Sequence, residues 1–296
     1  MNNLALGDLH IGKRHKVTFG DPAIWDELTM KVVIELLKLH KPKHLILTGD
    51  VFDSSKPTAL DFAQVVMLTS MVDRVTILTG NHDLSMIAED IAFSYLSRLP
   101  NVTLVEANHF TYVYDGAYAV GWCDTQEEFI KTMAMALRDV PENGVVYAHC
   151  NRKYWENDND NSFTDELYDL AASRNITVIS GHEHTSSISN HFIHLGSVVP
   201  QARNQLNQKY GWADDKLLEL PMHWASSELD VASVYFLEED PIDMSDFSCY
   251  LIRNDKEVKA EDLKLESKDL TIDVIESFRA AAVKEGFGKE LLDEYL

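Results

Sequence analysis

The sequence predicts an α/β fold in which two sheets pack together and helices cover the outside. Three observations predict it. Strand-length apolar runs alternate with helix-periodic runs through the first two-thirds of the chain, as crossover units do. Hairpin-like strand pairs without intervening helices become commoner after that. With 296 residues, 45% apolar and 25% charged, the composition fits one large globular domain, or one domain plus an appendage.

Residues 3–7 read as a short strand. Residues 22–39 carry helical periodicity (Ile24, Leu28, Val32, Leu36, Leu39), with Asp21 as N-cap and Pro22 in the first turn. Strands follow at 44–48 and 74–79, around a helix at 59–71. Residues 87–96 read as a helix and 102–105 as a strand. Residues 110–113 and 118–121 form a hairpin turning at Asp115-Gly116. Helices at 127–137 and 164–172 alternate with strands at 144–148 and 177–180. Further strands are expected at 191–195, 233–237 and 249–252. The polar run 157–161 reads as a surface loop. Residues 207–227 lack periodicity and read as an insertion, with a cap over the site as one use for it. An amphipathic run at 271–283 stops at Gly286 and Gly288, and a last short helix follows. The organisation is thus a catalytic domain over 1–254 and a short C-terminal helical extension over 255–296, which could dock a partner or pack on its own domain.

No run of about 18 apolar residues occurs, so no membrane span is expected. Leu4-Ala5-Leu6-Gly7 follows the first residues directly, with no apolar leader segment. The three cysteines, Cys123, Cys150 and Cys249, are odd in number and widely spaced. Together these fit a reducing, cytoplasmic setting, with Cys150 a buried structural thiol. The formal net charge of −22 argues against a uniformly basic duplex-binding surface. It is unevenly spread: from Tyr210 onward there are 22 acidic and 9 basic residues, and before it 26 and 17. Any nucleic-acid affinity must therefore be local or supplied by a partner.

Five tags follow apolar runs: Gly7-Asp8-Leu9-His10, Gly49-Asp50-Val51-Phe52-Asp53, Gly80-Asn81-His82-Asp83, Tyr147-Ala148-His149 and Gly181-His182-Glu183-His184. Asp8 and His10 are two apart, so an extended backbone points both the same way. Asp50 offers a carboxylate, which can bridge two cations, and Asn81 a carbonyl oxygen. His149 ends a strand, and His182 and His184 again share one face. His82 could reach a substrate, with Asp83 orienting it. Each tag alone also has a bland reading: a surface pair, a helix cap or a polar turn. Their joint occurrence, each at a strand end, carries the inference. Seven oxygen and nitrogen donors without thiolate suit Mn²⁺, Fe or Zn²⁺. Two such ions about 3.5–4 Å apart can hold a hydroxide between them for in-line attack on a phosphate ester. No P-loop, G-x-G-x-x-G or G-x-S-x-G occurs, which removes support for kinases, dehydrogenases and serine hydrolases.

In this order the five tags resemble the calcineurin-like metallophosphoesterase superfamily, over roughly residues 4–196. The resemblance implies a four-layer α/β/β/α sandwich. It assigns Asp8, His10 and His184 to one metal, Asn81, His149 and His182 to the other, and Asp50 between them. It makes His82 the residue that stabilises the pentavalent phosphate or protonates the leaving oxygen, with Asp83 behind it. Within the superfamily, Gly7-Asp8-Leu9-His10-Ile11-Gly12 is similar to SbcD-type DNA-repair nucleases, including the small subunits of bacteriophage recombination endonucleases. That implies a manganese-dependent nuclease, a homodimer, and an SbcC-type coiled-coil ATPase partner, in the host cytoplasm if phage-encoded. Asp53 stands where many cellular members carry a histidine, so its role is open.

Basic residues fall just after the tags: Lys13, Arg14 and Lys16, then Arg152 and Lys153, then Arg203. They are the candidate phosphate contacts of a long phosphodiester such as DNA. The alternative substrate is a small nucleotide in a closed pocket, and a third possibility is a catalytically inactive scaffold. Retention of every expected ligand argues against the last.

Overall fold

The computed structural model describes residues 1–13, 24–84, 92–152, 161–199, 201 and 208–220, and the strand segments 224–225, 230–231, 233–235, 250–253 and 256–259. Two six-stranded sheets dominate. The first contains β1 (Asn3–Leu6), β2 (His44–Leu47), β3 (Arg74–Leu78) and β4 (Val102–Val105), all parallel. The second contains the hairpin β5 (Phe110–Tyr114) and β6 (Ala117–Val120), then β7 (Val145–His149), β8 (Thr177–Gly181), β9 (Ser187–Ile188) and β10 (Phe192–His194). Its order is β5-β6-β7-β8-β10-β9, with β6, β7, β8 and β10 parallel.

Side-chain alternation separates four layers. Ala5, Ile46 and Leu78 face Ala119, Tyr147, Ile179 and Ile193 in one buried cluster between the sheets. Their neighbours Leu4, Leu6, Leu45 and Leu47 turn the other way, onto α1 (Ile24–His40) and α2 (Ala59–Ser70). Val146, Ala148, Val178 and Phe192 pack outward on α3 (Gln126–Asp139) and α4 (Asp165–Ser173). This period of two, apolar on both faces, is what a sheet covered on both sides requires. Each fully buried aliphatic side chain stabilises the sandwich by about 1.5–3 kcal/mol. The α/β/β/α architecture implied by the tags is the observed one.

Helix ends follow their local chemistry. Thr58 caps α2 in a reciprocal box with Asp61, and Thr125 and Thr164 accept from the third residues of α3 and α4. Asp115-Gly116 makes the hairpin turn as expected, with Gly116 at φ 85°.

Several expectations are corrected. The run read as a helix over 87–96 is, where described, a 3₁₀ helix at Ala92–Arg98. Residues 207–227 are not simply an insertion. β11 (Lys209–Ala213) pairs antiparallel with β1, and β12 (Lys216–Leu220) pairs with β11, so residues 209–220 extend the first sheet. A strand reading KYGWA carries too little alternation to announce itself. Asn161, read as surface, is buried, and its amide donates to the Cys123 carbonyl at 3.0 Å. The C-terminal part holds β13 (Trp224–Ala225), β14 (Asp230–Val231), β15 (Ser233–Tyr235), β16 (Tyr250–Arg253) and β17 (Lys256–Lys259). β16 and β17 pair antiparallel, so the boundary drawn after 254 falls inside a hairpin and the segment read as helical begins as a strand. Asp21, Pro22 and the helix expected over 271–283 lie outside the described residues.

Candidate metal centre

All five tags leave the carboxyl ends of parallel strands, where open α/β sheets place their ligand sites. The tags of the first sheet follow β1, β2 and β3, and those of the second follow β7 and β8. The backbone bends sharply there. Asp8, His10, Asp50 and His182 all sit at positive φ, 47°, 46°, 47° and 83°. Each such non-glycine residue costs about 1 kcal/mol or more, and clusters of them mark sites where side-chain direction is fixed by surrounding structure. Two glycines permit the close approach. A Cβ on Gly49, at φ 99°, would overlap the His149 imidazole, and one on Gly80 would overlap Asp50. Gly49→Ala is expected to cost about 3 kcal/mol or more of stability. Denaturant unfolding of the metal-free protein checks this; an unchanged midpoint would show that the two loops do not meet.

The donors converge as two groups. His10 Nε2 lies 2.8 Å from His184 Nε2, and Asp8 completes a cluster with them. In the second group Asn81 Oδ1 lies 3.1 Å from His149 Nε2 and 3.0 Å from His182 Nδ1. Asp50 Oδ2 belongs to both, 3.3 Å from His149 Nε2 and 3.7 Å from His10 Nε2. Donors around one ion with bonds of about 2.1 Å stand about 3.0–3.4 Å apart, so this spacing fits two cations sharing Asp50. The tautomers fit as well. His149 Nδ1 donates to the Thr48 carbonyl at 2.7 Å, which turns Nε2 to the donors. His10 Nδ1 lies 3.1 Å from the Asp53 carboxylate, and its Nε2 is on the side of the donors. Asp8 accepts the His182 main-chain N–H at 2.9 Å, tying the first tag to the fifth.

The calcineurin-like phosphoesterase family matches residues 1–186, a segment that ends just past His184. The chain belongs to this family. A comparison with curated proteins found no match. Solved structures similar to it include the calcineurin-like phosphoesterase YfkN from Bacillus subtilis, at 12% identity over 73% of this chain and 87% of that one, TM-score 0.41. They also include the Pseudomonas putida nuclease MPE, at 15% identity over 84% of each chain, TM-score 0.35. The protein TT1561 of Thermus thermophilus is 13% identical over 73% of this chain and 96% of that one, TM-score 0.46.

In this calcineurin-like phosphoesterase the electrostatics follow from burial against partners. Burial alone would lower the His149 pKa, but the Asp50 and Asp8 carboxylates outweigh it and push the ring up to about 9. Burial would raise Asp50, yet His149 and His10 hold it well below the usual carboxylate range. His182 and His184 are pushed down to about 3, mainly by burial and then by neighbouring imidazoles.

His82 is exposed and its ring stands 4.9 Å from that of His10. Its expected orienter is corrected. The Asp83 carboxylate does not back His82; it is buried and accepts N–H bonds from Phe52 at 3.0 Å and Gly80 at 2.9 Å. Asp83 thus latches the second tag to the third, and burial together with the Asp50 charge pushes its pKa up to about 7. The Asp53 main-chain carbonyl is what accepts from His82 Nδ1, at 2.9 Å. Asp53, whose role was open, therefore touches two histidines, one by each of its oxygen types.

Of the basic candidates, Lys13 Nζ lies 3.8 Å from Asp53, beside the donors. Arg152 is engaged elsewhere: it donates to Asp165 at 3.0 Å and stacks on Tyr168. Arg14, Lys153 and Arg203 lie outside the described residues. Three contributors were missed in the sequence. Trp122 stands over His149 and His182, with ring centroids 5.8 and 5.2 Å away. Thr48 acts through its carbonyl, which no side-chain pattern reveals. Lys209 is buried in β11 and reaches the His184 carbonyl; only recognition of β11 as a strand beside β1 could have found it.

Proposed function

We propose that the chain is a divalent-metal-dependent phosphodiesterase that cuts DNA, as the SbcD-like nuclease subunit of a recombination or repair complex. The observation that carries the phosphodiesterase reading is the pair of donor groups sharing Asp50 Oδ2. Asp8, His10, His184 and Asp50 would hold one ion, and Asp50, Asn81, His149 and His182 the other, with manganese the first ion to test. When bound, two such cations supply Lewis-acid activation of water and neutralise phosphate charge.

The chain's own residues do the rest. Because His82 Nδ1 donates to the Asp53 carbonyl, its Nε2 is the atom offered outward. In the doubly protonated ring the Nε2–H can hydrogen-bond a phosphoryl oxygen or pass its proton to the leaving oxygen, leaving a neutral imidazole still donating from Nδ1. Lys13 adds an ammonium at the same rim. DNA as substrate is supported by the Gly7–Gly12 and Gly49–Asp53 tags and their similarity to SbcD-type nucleases. The same similarity supports a homodimer working with an SbcC-type coiled-coil ATPase in the cytoplasm. Among the described residues no helix is long and apolar enough to cross a membrane. A small-nucleotide phosphodiesterase is the second reading, favoured by the engagement of Arg152 with Asp165 and Tyr168, which thins the expected basic rim.

Purified protein with Mn²⁺ is expected to cleave bis-p-nitrophenyl phosphate and linear DNA. Cleavage of the small diester with DNA left intact, even beside a coiled-coil ATPase, would sink the nuclease reading. His82→Ala is expected to keep both metals and lose about 10²–10⁴-fold in turnover. Loss of a metal along with turnover would instead make His82 a ligand.

A further inference from the structure

We propose that Lys209 is a positioning residue for the first metal site, acting through the main chain of His184. The inference rests on the reading of Asp8, His10, Asp50 and His184 as that site's donors. Lys209 opens β11 and is only 1% exposed. Its Nζ donates to the His184 carbonyl at 2.6 Å, and the Ser197 main-chain N–H donates to the same oxygen at 3.2 Å. The His184 peptide is thereby held from two sides while its ring presents Nε2 to His10, 2.8 Å away. Because β11 lies beside β1, whose end carries Asp8 and His10, the ammonium enters from the strand next to those donors.

Two features make this more than packing. Burying an ammonium costs several kcal/mol, which a flexible apolar side chain of similar length would avoid. The residue also lies beyond the segment that matches the family, which ends at 186. The hairpin of β11 and β12 thus brings a support to a ligand loop from outside that segment. Groups that orient a metal ligand typically change metal affinity by about 10–100-fold when removed.

The test is a cobalt(II) titration of the full-length metal-free protein, followed by visible absorption and compared with Tm. Wild type is expected to take up about two equivalents, as a paired site requires. Lys209→Met should bind one ion as wild type does and the other about 10–100-fold more weakly, with an altered cobalt spectrum. Lys209→Arg, which keeps a buried donor, should restore most of that loss. Wild-type cobalt affinities and spectrum in Lys209→Met, with only a lower Tm, would make the lysine merely structural and overturn the proposal. Tighter binding in Lys209→Met would overturn it too, because the ammonium would then act as a repelling charge. Failure of both variants to fold would count against it in the same way. A wild type that binds fewer than two ions sinks the paired-site reading itself, a result distinguishable from the others.

Discussion

Asp50→Ala is expected to lower hydrolysis of any phosphodiester by more than about 10³-fold and to weaken both metals at once. Loss of a single preorganised electrostatic group already costs about 10²–10³ in turnover. Asp50 does three things: its Oδ2 faces His149 and His10, and its Oδ1 accepts the His82 main-chain N–H at 2.9 Å. The substitution therefore removes the shared donor and releases the backbone that carries His82. Among the described residues Asp50 is the donor with one oxygen near ligand nitrogens of both groups, so the effect should exceed that of any other single ligand change. Metal stoichiometry on the dialysed variant, measured beside its activity, separates ion loss from misplacement of His82. Full activity on bis-p-nitrophenyl phosphate would refute the two-metal reading outright.

The fold was legible wherever local pattern and tertiary burial agree. Leu4-Ala5-Leu6 and Val145-Val146-Tyr147-Ala148 are apolar on both faces, as strands buried between helices and a second sheet must be. The tags were legible for a related reason: glycine, aspartate and histidine end these runs where the chain turns out of a sheet. What stayed hidden is long-range. β11 joins β1 across some two hundred residues, and its Lys-Tyr-Gly-Trp-Ala reading has no clean period. Asp83 shows the limit of adjacency. Its place beside His82 in sequence suggested a dyad, yet the turn sends its carboxylate back to Phe52 and Gly80. Asp53 is the converse, its carboxylate reaching His10 and its carbonyl His82.

The positive φ values at Asp8, His10, Asp50 and His182 were equally invisible, since none is glycine. They are maintained by contacts between tags rather than within them: His10 N–H to the Asp50 carbonyl, His182 N–H to Asp8, His82 N–H to Asp50. Each tag is therefore shaped by another, and the centre is a cooperative unit. A change in one loop should be felt at donors in the next, which is why Gly49→Ala is expected to disturb His149 and not only its own turn.

Binding at the second site is expected to release about one proton at neutral pH and to tighten about tenfold per pH unit up to pH 9. In the metal-free protein His149 carries a proton, because Asp50 and Asp8 outweigh the effect of burial and raise its pKa to about 9. Its Nδ1 is committed to the Thr48 carbonyl, so the proton that must leave is the one on Nε2, the atom offered to the ion. His182, the site's other imidazole, is already neutral at pH 6, since its pKa is held near 3 by burial and by His149. One proton is thus displaced. Below pH 9 a falling pH keeps that proton in place and weakens binding; above it the dependence flattens. Folding stability of the metal-free protein follows the same group. The stabilisation from the protonated ring is full below its unfolded value of about 6.5 and is lost as pH rises through 9. Calorimetric titration with Mn²⁺ in buffers of different ionisation enthalpy reads the proton directly. A heat that does not depend on the buffer, or an affinity that stays flat from pH 6 to 9, would show that His149 is not the residue the metal displaces a proton from. Asp50→Asn supplies the control: the largest influence raising the His149 ring is then gone, leaving only Asp8 and the Thr48 carbonyl against burial, so the released proton should diminish together with the tight binding.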